Sequence, residues 1–190
     1  TCALPILSCL PSSPALAGSE IELIDLPERE FRLQQVLEPI RYRYDYILID
    51  CPPSLGLLTL NGLVAAQDGV LIPVQCEYLA LEGLGQLTQT IDRVKQSLAK
   101  DLKIRGVILT MYDARTNLST DVIHEVKRFF GSQVFDSVVP RSIRLAEAPS
   151  FGMPIAVYAP GSSGAQAYAA LAKELLVSDD VKVPIVQEAN

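Results

Sequence analysis

The chain has a single histidine, His124, and four cysteines, Cys2, Cys9, Cys51 and Cys76, no two of which form a Cys-x-x-Cys pair. No Cys/His set stands at metal-ligand spacing, so the sequence carries no zinc motif, and the cysteines read as small apolar residues of a reducing compartment. Basic residues are in deficit too: 16 Lys and Arg stand against 22 Asp and Glu, a formal net charge of −6. Overall charge therefore cannot draw the protein to nucleic acid, and any such contact needs a local basic patch. No apolar run reaches the roughly 18 residues of a membrane span. The opening TCALPILSCLPSSPALAG lacks a basic segment and is interrupted by prolines, unlike a signal peptide. A soluble cytoplasmic protein is the expectation, with no repeat, low-complexity block or internal domain boundary.

What is present is core material. Of 190 residues, 49% are hydrophobic and 20% charged, enough to bury the interior of one globular α/β domain. Short β-rich apolar runs predict strands at Tyr44–Asp50, Gly69–Val74, Ile104–Met111, Val134–Val139 and Pro154–Val157. Three- and four-residue apolar spacing predicts helices at Leu57–Ala66, Ala80–Leu98, Leu118–Phe130 and Gly164–Leu176. Ser119 or Thr120, and Ser162 or Ser163, are the candidate N-caps. Alternation of the two specifies a doubly wound, mainly parallel sheet flanked by helices, with ligand loops at the carboxyl ends of the strands.

The strongest local signal is Tyr46-Ile47-Leu48-Ile49-Asp50-Cys51-Pro52-Pro53, an apolar strand that delivers a carboxylate to its end. Asp50 can there stand beside a hydrated Mg²⁺ and nucleotide phosphates, since Mg²⁺ keeps several waters and takes few protein carboxylates. The strand-Asp pattern alone leaves a second reading open, an Asp that caps the next turn. Glu147, three residues after Arg144, reads as its local ion-pair partner.

Four segments together resemble one family, the ParA/Soj-type partitioning ATPases of the deviant-Walker P-loop class. They are Tyr44 to Leu63; Pro73-Val74-Gln75-Cys76-Glu77-Tyr78 with Ala80 to Leu84; Thr110 to Leu118, which contains Asp113-Ala114-Arg115-Thr116-Asn117; and Pro140-Arg141-Ser142-Ile143-Arg144 to Gly152. They occur in the family's order, and the resemblance runs from about Leu7 to Leu176. It implies a P-loop fold and an ATPase that binds ATP and Mg²⁺, forms an ATP-dependent homodimer, coats double-stranded DNA without sequence preference and is stimulated by a ParB/Spo0J-like partner. It implies a cytoplasmic, nucleoid-associated protein of a chromosomal or plasmid system, with no membrane attachment. By position it makes Asp50 the Walker B carboxylate, Pro140, Arg141 and Ser142 the loop against the adenine, and Arg115 and Arg144 the DNA-contacting arginines. Ser142 stands where the family usually has Asn, a hydroxyl in place of an amide. Without the resemblance, both arginines read as solvated surface residues.

A P-loop needs a glycine-rich turn ending in Lys and Ser or Thr. None occurs in these 190 residues; Pro160-Gly161-Ser162-Ser163-Gly164 lacks the lysine. The resemblance places the missing loop, its lysines and the catalytic Asp upstream of Leu7, so the chain by itself is expected not to hydrolyse ATP. Thr1-Cys2-Ala3-Leu4-Pro5-Ile6 reads as the in-frame translation of a sequencing-adapter end, ACG TGT GCT CTT CCG ATC. The expected organisation is thus non-native residues 1–6, an incomplete ATPase domain 7–177 and a peripheral tail 178–190, with an apolar edge exposed along the strand that ends at Asp50. Two related readings compete. A cobyrinic acid a,c-diamide synthase-type amidating enzyme would carry a glutaminase domain and would not need the Asp-Ala-Arg-Thr-Asn loop. A MinD-like positioning ATPase would need a basic amphipathic C-terminal helix, where Leu175–Asn190 is acidic and broken by Pro184.

Overall fold

A computed structural model of the protein describes residues 7–52, 54–77 and 80–181; residues 1–6, the expected adapter-like segment, and 182–190, most of the expected tail, lie outside them, as do Pro53, Tyr78 and Leu79. The centre is a parallel sheet of β1 (Val70–Gln75), β2 (Ile104–Tyr112) and β3 (Val134–Pro140), in that spatial order. Before it come α1 (Ala15–Glu22), α2 (Arg32–Leu37) and α3 (Leu57–Ala65). The crossovers are α4 (Ala80–Ser97) and α5 (Asn117–Phe130), and α6 (Ile143–Glu147), α7 (Ile155–Tyr158) and α8 (Ser163–Ser178) follow β3.

Each crossover helix folds because one stripe of it is apolar. Leu84, Ile91 and Val94 of α4 and Val122, Val126 and Phe130 of α5 meet Ile72, Val74, Val107 and Leu109 of the sheet in a single core cluster. Burial of such a side chain contributes about 1.5–3 kcal/mol, so this cluster holds the three strands in place. The start of α5 is capped by Thr116, whose side chain accepts from the Ser119 amide, not by Ser119 or Thr120 as expected. The reason is that the Ser119 hydroxyl is turned inward, donating to the Cys76 carbonyl oxygen at 3.1 Å. Gly131 ends the helix at φ 54°, with Lys127 and Arg128 in the last turn. Ser162 caps α8, as expected.

Two predicted strands require correction. Residues 44–50 are not a strand: none of them joins the sheet, and Tyr46, Ile47 and Leu48 are 38%, 38% and 79% exposed. An apolar run becomes a strand only beside another backbone that takes its hydrogen bonds, and a cleft of about 1280 Å³ separates this one from β1. Pro154–Val157 is not a strand either. Pro154 is extended at ψ 150° and opens the helical turn α7, whose Tyr158 amide donates to the Pro154 carbonyl. A four-residue apolar run does not distinguish strand from buried helix by its period; packing against α6 and α8 decides it.

Candidate functional site

Of the residues singled out from the sequence, Asp50 lines one cavity and Arg115 and Arg141 line another with which it shares no residue, while Pro140, Ser142 and Arg144 line neither. The larger is the cleft between segment 44–52 and the free edge of β1, floored by α3 and walled by α2 and α4. Asp50 lines it, together with Cys51, Pro52, Thr59 and Gly62. With no ladder to hold it, the Asp50 segment is positioned by α3. The Thr59 hydroxyl reaches the Ser54 carbonyl at 2.5 Å, and a Cβ at Gly62 would collide with Cys51 Sγ, so the missing side chain at Gly62 makes room for the Cys51 thiol against α3. The far end of the segment is tied by the Tyr46 hydroxyl, which donates to Asp179 Oδ2 at 2.6 Å. Pro73 within β1 is compatible with a strand whose other side carries no partner among the described residues.

Asp50 is exposed. Among the described residues no group of three His, Cys, Asp or Glu side chains could enclose a metal ion. The donor set is one carboxylate. That fits Mg²⁺ held mainly by water and phosphate oxygens and does not fit an ion caged by protein alone.

The second cavity, about 490 Å³, lies at the carboxyl ends of the strands, lined by Cys76, Glu77, Met111, Asp113, Arg115, Thr116, Leu118, Ser119 and Arg141. Pro140 ends β3 opposite Tyr112, and the Arg141 amide donates to the Tyr112 carbonyl at 2.9 Å. Its side chain pairs with Glu77, beyond the end of β1. Ser142 is the extended residue before α6 and makes no capping bond. Met111 is held at φ 56°, a conformation costly for a side chain of its size. It falls where the β2–β3 register slips, between Leu109 and Tyr112, and turns the chain into the 113–116 loop.

That loop is knit by short-range bonds. The Ser119 hydroxyl joins the Cys76 carbonyl and the Asp113 amide, and the Thr116 hydroxyl donates to the Asp113 carbonyl at 3.1 Å. Asp113 Oδ1 accepts from Arg115 Nε at 2.9 Å, and Oδ2 from Nη2 at 2.6 Å. These bonds hold the Asp113 carboxyl well below the usual carboxylate range and raise the Arg115 guanidinium further. On α6, Arg144 donates to Glu147 Oε2 at 3.0 Å, the local pair expected from their spacing. The same oxygen accepts from the Tyr158 hydroxyl at 3.0 Å, and Glu147 raises the arginine. The structure thus brings Arg115 and Arg141 to one cavity and leaves Asp50 and Arg144 elsewhere. The sequence reading missed Asp113, although Asp two residues before Arg is a usable signal for a side chain folding back on its own turn. It also missed the Glu77–Arg141 pair, 64 residues apart, for which no local signal exists.

Comparison with known proteins adds the family. An AAA domain family model matches residues 2–104. The chain is 55% identical over 181 residues to the chromosome partitioning protein ParA of Myxococcus xanthus, covering 95% of this chain and 64% of that protein. It is 49% identical over 173 residues to the chromosome-partitioning ATPase Soj of Treponema pallidum, covering 91% and 68%. Among solved structures, the cobyrinic acid a,c-diamide synthase of Mycobacterium smegmatis with bound ADP and magnesium aligns at TM-score 0.72 and 37% identity, over 94% of this chain and 66% of that one. The chain therefore spans about two thirds of the length of the proteins it matches. No helix among the described residues is long and apolar enough to cross a membrane.

Proposed function

This chain belongs to the ParA/Soj family of chromosome-partitioning ATPases, and from that premise we propose that it is the greater part of an ATP-gated switch that segregates DNA. In this reading it forms a homodimer with ATP and Mg²⁺, binds double-stranded DNA without reading bases, and is stimulated by a ParB/Spo0J-like partner at the nucleoid. The observation that carries the reading is the 55% identity to a partitioning protein. Two exposed arginines on an otherwise acidic chain, their side chains 84% and 61% exposed, supply the physical means. An exposed guanidinium binds a phosphate through charge-assisted hydrogen bonds even where the net charge of the chain is negative.

The 1280 Å³ cleft is the place we assign to a glycine-rich phosphate loop and its strand. Both flanks, segment 46–50 and the free edge of β1, have backbone groups to offer a ladder. Asp50, at the cleft, would stand beside Mg²⁺, which supplies neutralisation of phosphate charge when bound. Arg141, which lines the other cavity, would face the base together with its chain neighbours Pro140 and Ser142.

The test is ATP-dependent binding of the intact protein carrying this sequence to random duplex DNA. Arg115→Ala and Arg144→Ala should each weaken binding roughly threefold to tenfold at about 0.1 M salt and flatten the salt slope by about one unit, uniformly across sequences. Unchanged binding in both variants would return the arginines to ordinary surface residues. A second reading, an ATP-dependent amidating enzyme, is favoured only by the name of the 37% identical Mycobacterium smegmatis structure. Cobyrinic acid-dependent ATP hydrolysis without DNA binding would select it.

A further inference from the structure

We propose that Asp113 is a positioning residue for Arg115, gripping one side of its guanidinium so that the other side is presented to a phosphate of duplex DNA. The inference rests on the DNA-binding reading of Arg115 given above. An arginine has two bidentate edges, one formed by Nε and one Nη, the other by the two Nη groups. Asp113 occupies the first completely: Oδ1 accepts from Nε at 2.9 Å and Oδ2 from Nη2 at 2.6 Å. Oδ1 also accepts from the Arg115 amide at 3.0 Å, so the carboxylate fixes the backbone and the head of the same residue. The second edge, with both Nη1 hydrogens, makes no bond within the described residues, and the side chain is 84% exposed.

The grip is itself anchored. The Asp113 side chain is only 18% exposed, and its amide and carbonyl are bonded to the Ser119 and Thr116 hydroxyls. Ser119 in turn is buried and bonded to Cys76 at the end of β1. The guanidinium is thus referenced to the sheet through two strands. Arg144 has a looser mount, one bond from Nη1 to a Glu147 oxygen already shared with Tyr158. A free surface arginine loses much rotamer freedom when it meets a phosphate, and an arginine ordered beforehand does not.

The alternative role for Asp113 is a counter-ion that merely cancels the charge of Arg115, and the two roles differ in sign. Removing a negative charge beside a phosphate-binding group tightens binding by Coulomb's law; removing a positioning group weakens it. The experiment measures random-duplex DNA binding by the intact, ATP-loaded protein carrying Asp113→Ala, Asp113→Asn, Arg115→Ala, or Asp113→Ala with Arg115→Ala. Asp113→Ala is expected to weaken binding roughly threefold to tenfold. Asp113→Asn, which keeps Oδ1 for the amide and Nε, should weaken it about twofold, and it decides the question if the alanine variant does not fold. In the Arg115→Ala background the Asp113 change should have no further effect. Tighter or unchanged binding in the Asp113 variants, or an equal loss in the Arg115→Ala background, overturns the proposal. Unchanged binding in Arg115→Ala overturns instead the reading on which it rests.

Discussion

Residues 7–58 and residues 59–181 are stabilised differently. Among the described residues before Thr59 none is buried, and helices α1 and α2 lie outside the sheet-centred core. From α3 to β3 helices and strands alternate, and Val107, Leu109 and Val126 are wholly removed from water. The first region contains an apolar run as strong as any strand in the second, Tyr46 to Ile49, yet it has no ladder. Hydrophobicity alone does not order that run; only a neighbouring backbone can turn apolar extension into sheet. Polar tethers and one glycine contact do in the first region what the core does in the second.

The most consequential tether is Asn61 of α3, 4% exposed. Its Oδ1 accepts from the Leu33 amide at 3.0 Å, and its Nδ2 donates to the Arg29 carbonyl at 2.9 Å and the Leu57 carbonyl at 3.0 Å. Leucine keeps the branching of the side chain but leaves the Leu33 amide and Arg29 carbonyl without partners, at a cost of about 2–3 kcal/mol. Asn61→Leu should therefore speed amide hydrogen exchange in residues 29–43 far more than at Val107 and Leu109 of β2. Equal acceleration in both places would mean that the two regions open as one unit, and the contrast between them would fail.

The second tether is a contact without a hydrogen bond. In a helix Gly→Ala ordinarily gains about 0.5–1 kcal/mol, but at Gly62 the added methyl meets Cys51 Sγ. Gly62→Ala should accordingly destabilise by about 1 kcal/mol and loosen exchange across residues 49–52, while Cys51→Ala in the same chain should reverse both effects. A stabilised Gly62→Ala, with no change at residue 50, would show that α3 does not position the Asp50 segment.

How much of this was legible in the sequence follows the same division. The helices α3, α4, α5 and α8 were placed to within about two residues because their apolar stripes repeat over several turns, and β1 to β3 because each is short, β-rich and bounded. Segment 44–50 has the composition of a strand, but pairing is not a property of one segment, so its unlinked state could not be read from it. Pro154–Val157 failed for a related reason: four residues are too few to show a period. At the site, Asp50, Arg115, Arg141 and Arg144 were named from motif positions, and their surroundings were not. The clamp of Asp113 on Arg115 is local and was readable in principle. The Glu77–Arg141 pair and the separation of Asp50 from Arg141 into different cavities depend on the folded chain.

The smallest expected effect tests whether the sheet region also uses a polar tether where its ladder is interrupted. Between Val107 and Leu109 of β2 the partners on β3 move from Val134 to Val138, so β3 bulges. There Glu174 of α8 takes the place of the missing strand acceptors, with Oε1 accepting from the Asp136 amide at 2.6 Å and Oε2 from the Ser137 amide at 3.0 Å. Partial burial alone would push this carboxyl up; the two amides overcome that and leave it below the ordinary glutamate range. A carboxyl depressed in the folded state stabilises above its unfolded value, and that contribution is lost as pH falls toward the folded one. Glu174→Gln should therefore cost about 1 kcal/mol at neutral pH, a partly exposed site limiting the loss, and should flatten the stability profile below the ordinary glutamate range. If the two proteins melt alike at neutral pH and diverge in acid, the bulge is held by packing of α8 on β3 and not by this carboxylate.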